Sequence, residues 1–362
     1  MTVRRKPRSM FRVTAFALAA AILAIAVHRL SSPSLERREL LAEAKSWTYQ
    51  LQGLGGALPE LAASASDLLV IDYAKTGGKG TSPLSADEVA ALKRKPDGSR
   101  RLVVAYLSIG EAEEYRPYWQ ASWKTDPPAW LAEKNCRWPD NHLVRFWHDD
   151  WENLVYRAPG SYLARIQAAG FDGVYLDRID VYAEVSHPDG AGKAAMVSFV
   201  RQLAATARRS VPGFLVIAQN AEELLEDASY RGIIDGIAKE DLLYGLTGTG
   251  VRNGADEIKW SSRQLKRLHR DGKAVLVVEY LKSQAAIDAA RQELAGLGFV
   301  PAFPPRSLDG SDPLALVAKT SGDGDSNDSD QGGERDRGGD AEKGTPEYAR
   351  SNCETAVKKD AP

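Results

Sequence analysis

The chain of 362 residues holds only two cysteines and five histidines. Two cysteines exclude a disulfide scaffold and the cysteine-rich zinc ribbons. So few histidines leave little for a His-rich metal site. Neither sign of charge is in excess: 47 Lys and Arg stand against 49 Asp and Glu, a net charge of −2. A general nucleic-acid binder needs a strong basic surplus, so that class is disfavoured. No Gly-x-Gly-x-x-Gly follows the first apolar run, against a dinucleotide-binding fold, and no Gly-x-Ser-x-Gly elbow marks a serine hydrolase. What is present is a chain 43% hydrophobic and 27% charged, rich enough in apolar residues for a sizeable core. Its length still allows one domain, because α/β barrels run to ~250 residues.

The two ends differ from the middle. Arg4, Arg5, Lys6, Arg8 and Arg12 precede an uncharged, Ala-rich run from Val13 to Val27. A basic start before a short apolar stretch is the pattern of an export signal. The run falls short of the ~20 residues that span a bilayer comfortably, which favours a cleaved signal over a permanent anchor. Residues 1–30 are therefore read as a signal peptide or N-terminal membrane anchor, with a membrane tether through residues 11–27 as the alternative to cleavage, and 31–45 as a linker. From Ser307 onward Gly, Ser, Asp and Glu dominate and Tyr348 is the lone aromatic residue. Such a composition buries too little apolar surface to offset the entropy of ordering, so 307–362 is expected to be a disordered tail. Cys136 and Cys353 are open between a disulfide in an oxidising compartment and two independent thiols.

Between the ends, short runs rich in Val, Ile, Leu and Tyr alternate with longer amphipathic segments. The expected strands are Trp47–Leu51, Leu68–Tyr73, Leu102–Ser108, Gly173–Asp177, Leu215–Asn220, Ile234–Lys239, Val275–Tyr280 and Phe299–Phe303. Near-continuous apolar runs suit parallel strands covered on both faces. Helical segments lie between them: one opens at Ser85 with Glu88 three residues on, a capping box, and two more run over Asp256–Arg270 and Ser283–Ala295. Strand–helix alternation with eight strands points to an α/β fold, a (β/α)8 TIM barrel over residues 46–306. The connection from Gly110 to about Pro159 is too long for a simple crossover and carries Trp119, Trp123, Trp130, Trp138, Trp147 and Trp151. A long loop in a compact domain is usually functional. Its tryptophans stand evenly between stacking on sugar rings and packing the loop, with packing the better reading for any single one.

The strand ends carry the chemistry. They read Asp72-Tyr73, Gly110-Glu111, Leu176-Asp177, Gln219-Asn220, Lys239-Glu240-Asp241 and Glu279-Tyr280. In a barrel these ends converge on the mouth where active sites sit. A single acid there is as readily a helix cap; acids on five strand ends are harder to explain that way. Several carboxylates in one cleft suit glycoside hydrolysis, in which one acid protonates the leaving oxygen and a second attacks the anomeric carbon or activates water. Like charges held close raise one pKa and keep a proton available. Carboxylates also bind Mg2+ or Ca2+. With no phosphate-cradling motif and no neighbouring histidines, neither metal nor cofactor is expected.

The motif Tyr106-Leu107-Ser108-Ile109-Gly110-Glu111-Ala112-Glu113, continuing to Tyr115-Arg116 and Tyr118-Trp119, resembles the signature of glycoside hydrolase family 114. So do Phe146-Trp147 with Trp151, Gly170-Phe171-Asp172-Gly173-Val174-Tyr175-Leu176-Asp177, Gln219-Asn220-Ala221-Glu222-Glu223-Leu224 and Glu240-Asp241-Leu242-Leu243-Tyr244-Gly245. The resemblance covers about Trp47 to Phe303 and implies a secreted barrel enzyme similar to endo-α-1,4-polygalactosaminidases, which cut galactosamine-containing polysaccharides. It also implies Asp177 as nucleophile and Glu240 as general acid/base, with Asp72, Glu111, Asn220 and Tyr244 lining sugar subsites; Tyr73 and Trp147 join them as expected substrate contacts. A polymer with free amines is cationic, and acids at the mouth would attract it. Asp72, Glu111 and Glu279 would then bind ammonium groups or order the two catalytic acids, unless Glu279 instead pairs with a base such as Lys239. Two alternatives stay open: a carbohydrate-binding barrel without turnover, and a hydrolase of a different glycan.

Overall fold

In the computed structural model, residues 33–75 and 82–312 are described. The expected apolar runs are strands: β1 (Trp47–Gln50), β2 (Leu68–Ile71), β3 (Leu102–Ser108), β7 (Gly173–Asp177), β8 (Leu215–Gln219), β9 (Gly236–Glu240), β10 (Ala274–Val278) and β11 (Val300–Ala302). They pair in that order, all parallel, in one eight-stranded sheet with helices between them: a (β/α)8 barrel. The seam between β1 and β11 is held by side chain and loop. The Trp47 indole donates to the Val300 carbonyl at 2.9 Å, and the amides of Leu51 and Gln52 donate to the Leu308 carbonyl at 2.8 and 2.9 Å.

The strands other than β11 are mostly buried on both faces because the barrel has two cores. Tyr49, Val70, Val104, Tyr106, Tyr175, Ile217, Ala238, Leu276 and Val278 fill the interior. Leu69, Ile71, Val103, Val174, Leu176 and Val216 face outward, onto helix residues such as Phe199, Leu203, Leu265 and Leu268. Side chains alternate along a strand, so one residue in two belongs to each core. The capping box forms as expected: Ser85 Oγ accepts the Glu88 amide, and the Ser85 amide donates to Glu88.

Two boundaries differ from expectation. The stretch read as a linker is a helix, α1 (Pro33–Glu43), laid across the strand-start end of the barrel. Its Leu41 joins the interior core, Arg37 Nε reaches Asp172 at 3.2 Å and Arg38 Nε reaches Asp235 at 2.9 Å. Asp172 is fully buried and also takes Lys93, Arg100 and the Val103 amide. Burial pushes its pKa up, but Arg100 and Lys93 outweigh that and hold it below the usual carboxylate value. At the other end, residues 307–312 belong to the barrel through the Leu308 contacts. The rest of the expected tail and the apolar run at 13–27 lie outside the described residues, as does Cys353; Cys136 is disulfide-bonded. Among the described residues no helix is long and apolar enough to cross a membrane.

The tryptophan-rich connection after β3 folds into a small antiparallel sheet of β4 (Glu111–Glu113), β5 (Leu131–Lys134) and β6 (Asn141–Val144), in the order β4-β6-β5. Its tryptophans mostly pack on one another. Trp119–Trp123, Trp123–Trp130 and Trp130–Trp151 have ring centroids 5.2, 5.0 and 4.9 Å apart. Trp151 also donates to the Ile109 carbonyl at 2.9 Å, pinning the insertion to the end of β3.

Candidate active site

The alternation that sorts the two cores also decides which strand-end residues turn into the mouth. Continuing from Tyr106, Tyr175, Ile217, Ala238 and Val278, the inward positions are Ser108, Asp177, Gln219, Glu240 and Tyr280. Asn220, Asp241 and Glu279 fall on the opposite parity. Asp177 and Glu240 therefore face one space. Both carboxylates raise the pKa of two interior phenols, Tyr49 and Tyr175, after burial itself.

Each carboxylate is held by a phenol and an N–H donor. Tyr106 OH donates to Asp177 Oδ2 at 2.7 Å, and the Arg178 amide donates to Oδ1 at 2.8 Å. Tyr280 OH donates to Glu240 Oε1, and Gln219 Nε2 donates to Oε2 at 2.8 Å. Burial pushes the pKa values of Tyr106 and Tyr280 well above the phenol range, and the neighbouring carboxylate pushes further. Both phenols thus keep the proton they donate.

The backbone directly after three inward residues is left-handed. Arg178, Asn220 and Asp241 have φ of 61°, 56° and 55°. Non-glycine residues rarely adopt this conformation, and strain of this kind gathers at functional sites. Here it turns the Arg178 amide back onto the Asp177 carboxylate. Close approach has a sequence cost nearby: a Cβ on Gly110 would stand 2.1 Å from the Arg178 carbonyl oxygen. Glycine at that point of the Ser-Ile-Gly-Glu motif lets the two strand ends meet.

The other expected site residues sort into two groups. Tyr73, Trp147 and Tyr244 are half-buried. Trp147 lies 5.0 Å from Phe146 and 4.6 Å from His187; Tyr244 carries the Arg252 guanidinium 5.2 Å from its ring centre; Tyr73 meets Tyr162 edge-on at 5.5 Å. The acids Asp72, Glu111 and Glu279 are buried and already engaged. Arg116 Nη1 lies 2.9 Å from both Asp72 oxygens, and the same guanidinium pairs with Glu113. Glu111 takes Asn135 and Asn141 at 2.8 and 2.9 Å and pairs with Arg178 at 2.7 Å.

Glu279, at 0% exposure, accepts the Leu243 and Tyr244 amides at 2.6 and 3.2 Å and braces the loop after β9. Its suggested partner Lys239 pairs with Glu222 instead, at 3.3 Å. Asn220 Oδ1 accepts the Glu240 amide at 3.1 Å, holding the backbone of its neighbour strand.

Tyr106, Gln219, Tyr280, Arg178 and Arg306 were not expected at the site. Arg306 binds both Asp241 oxygens at 3.1 Å, and its guanidinium lies 4.1 Å over the Tyr280 ring. No group of three or more metal-ligating side chains is present among the described residues. The mouth is a pair of carboxylates fixed by neutral donors, the equipment for acid/base and nucleophilic chemistry at an acetal carbon.

Comparison with known proteins gives the family. An uncharacterised protein of Deinococcus radiodurans is 34% identical over 274 residues, 75% of this chain and 84% of that one. Uncharacterised proteins of Thermotoga maritima and Methanocaldococcus jannaschii are both 35% identical, over 244 and 243 residues. Each of these two alignments takes in 65% of this chain, with 71% of the Thermotoga protein and 66% of the Methanocaldococcus one. Among solved structures, the glycoside hydrolase domain of PelA from Pseudomonas aeruginosa superposes with a TM-score of 0.57 at 20% identity, covering 74% of this chain and 96% of that domain, which shows a shared fold. The profile of glycoside-hydrolase family GH114 matches residues 31–315, so the chain belongs to that family of glycoside hydrolases.

Proposed function

We propose that this barrel is an extracytoplasmic endo-glycosidase that cleaves a galactosamine-containing polysaccharide with retention. Asp177 is the nucleophile and Glu240 the general acid/base. The observation that carries the reading is that Asp177 and Glu240 share the barrel mouth, each held by a buried phenol donor.

In this mechanism Glu240 gives its proton to the glycosidic oxygen while Asp177 attacks the anomeric carbon. Glu240 then takes a proton from the water that releases the sugar from Asp177. The donors on Asp177 suit an ionised nucleophile: the Arg178 amide and the Tyr106 hydroxyl both favour the charged form. The Arg178 side chain, fixed by Glu111 and Glu184, adds positive charge nearby. Trp147, Tyr73 and Tyr244 supply faces on which sugar rings stack. The basic residues followed by an apolar run at 13–27 support export to where such polymers occur, with the run as the membrane tether if it is kept.

The test is a panel of polysaccharides scored by new reducing ends and by product size, with Asp177→Asn and Glu240→Gln beside the wild type. Each variant should lose hydrolysis while melting within a few degrees of the wild type. Full activity in either refutes the assignment. Binding without new reducing ends at any enzyme concentration would make the protein a lectin-like barrel, and cleavage of a different polymer would replace the sugar but keep the residues.

A further inference from the structure

Three buried polar atoms, two at the barrel rim and one in the interior below them, have no hydrogen-bond partner among the described residues: Ser108 Oγ, Gln219 Oε1 and Tyr175 OH. All three occupy inward positions on the adjacent strands β3, β7 and β8. Ser108 is the ladder partner of Asp177. Tyr175 lies two residues earlier on the same face of the same strand. Gln219 follows Ala218, the ladder partner of Leu176, and so stands level with Asp177 on its other side. The unpaired atoms flank and underlie one carboxylate. Buried polar groups are nearly always paired, and the exceptions have a cause.

Gln219 shows what the missing partner is. Its Nε2 donates to Glu240 Oε2. With Nε2 spent on that carboxylate, the amide has its oxygen left over. Oε1 is therefore left as an acceptor, on a residue only 1% exposed. Its partner must be a donor: a hydroxyl, an ammonium or an amide N–H. Ser108 offers a hydroxyl that both donates and accepts.

We propose that Gln219 and Ser108 form the part of the cleavage subsite that reads a hydrogen-bond donor on the sugar carbon next to the reacting one, and that Gln219 sets selectivity for it. The inference rests on the hydrolase reading above. Gln219 touches Glu240 and stands beside Asp177, so the group that meets Oε1 neighbours the carbon on which both acids work. A sugar lacking a donor there leaves a buried acceptor unpaired in the complex. Sites of that kind reject the deficient analogue by large factors. A trapped water would satisfy the same atoms without reading the sugar.

The experiment compares two aryl oligosaccharides that differ only in carrying an amine or a hydrogen at that carbon. kcat/KM is measured for the wild type, Gln219→Met and Ser108→Ala. The wild type should favour the amine-bearing substrate by about 100-fold or more. Gln219→Met should cut that preference at least about tenfold. Ser108→Ala should lower kcat/KM on the amine-bearing substrate about tenfold with an unchanged or higher melting temperature, because its hydroxyl holds nothing within the protein.

An equal fall on both substrates in Gln219→Met would mean that Gln219 serves only to hold Glu240. A Ser108→Ala enzyme identical to the wild type would mean that water fills the place. Either result overturns the proposal. Calorimetric binding of the amine-bearing oligomer to Asp177→Asn, with and without Gln219→Met, reads recognition without turnover. A tenfold weakening is expected, and equal affinity overturns it. Absence of hydrolysis by the wild type would refute the hydrolase reading but leave this binding comparison intact.

Discussion

The Tyr280 hydroxyl donates to Glu240 Oε1 from beneath the Arg306 guanidinium, which lies 4.1 Å over the phenol ring. The two residues come from neighbouring strands, β9 and the end of β10, and the bond fixes one oxygen of the proposed acid/base. A hydrogen bond to a charged group contributes ~1.5–3 kcal/mol, so Tyr280→Phe should lower kcat by about 10- to 100-fold. The melting temperature should move little, since the ring and its packing remain. Steady-state kinetics beside a thermal melt separates the two effects.

Arg306 should matter more for folding than for chemistry. It holds Asp241, whose side chain is 3% exposed, through both carboxylate oxygens. Removing one member of a buried ion pair costs ~3–5 kcal/mol, because the other charge stays behind. Arg306→Met should therefore destabilise the protein by that order in urea unfolding. Adding Asp241→Asn should recover part of the loss; a double variant no better than the single one would contradict the account.

Glu279 makes stability depend on pH. Burial pushes its pKa up to about 8 from 4.5, opposed by the Leu243 amide and helped by the Asp241 charge. The folded state then binds a proton that the unfolded state releases, so this contribution is full below about 4.5 and is lost as pH rises through about 8. The wild-type melting temperature should fall across that window. Glu279→Gln, which has no proton to lose, should show a flatter profile although its loop is less well held.

Trp147 should act on substrate and not on the fold. It is half-buried between Phe146 and His187, outside the tryptophan stack that anchors the insertion. Trp147→Ala should raise KM for polymer about tenfold, the equivalent of ~1.4 kcal/mol, with kcat nearly unchanged. A large drop in melting temperature with unaltered KM would assign it to packing.

The barrel was legible because a parallel sheet covered on both faces needs unbroken apolar runs, and these stand out from single residues to whole segments. The acids at the strand ends were legible for the same reason: Asp72, Glu111, Asp177 and Glu279 are each the first charge after such a run, and Glu240 follows its run behind Lys239. Which way each acid faces was not read, although the clue was there. Counting by twos from Val278 reaches Tyr280 and passes over Glu279, and counting from Ile217 reaches Gln219 and passes over Asn220. Helix α1 was missed for a different reason. Its ties run from Arg37 to Asp172 and from Arg38 to Asp235, 135 and 197 residues away, and no local pattern carries such a pairing. Arg306 lay at the last residue of the expected domain, where composition already resembled the tail.

Helix α1 closes the floor of the barrel, with Leu41 in the interior and its arginines clamped to Asp172 and Asp235. The chain thus enters the molecule at the pole opposite Asp177 and Glu240. Floor and mouth are thus separate ends of one barrel, so a substitution that loosens helix α1 reaches the two acids only by way of the strands between them.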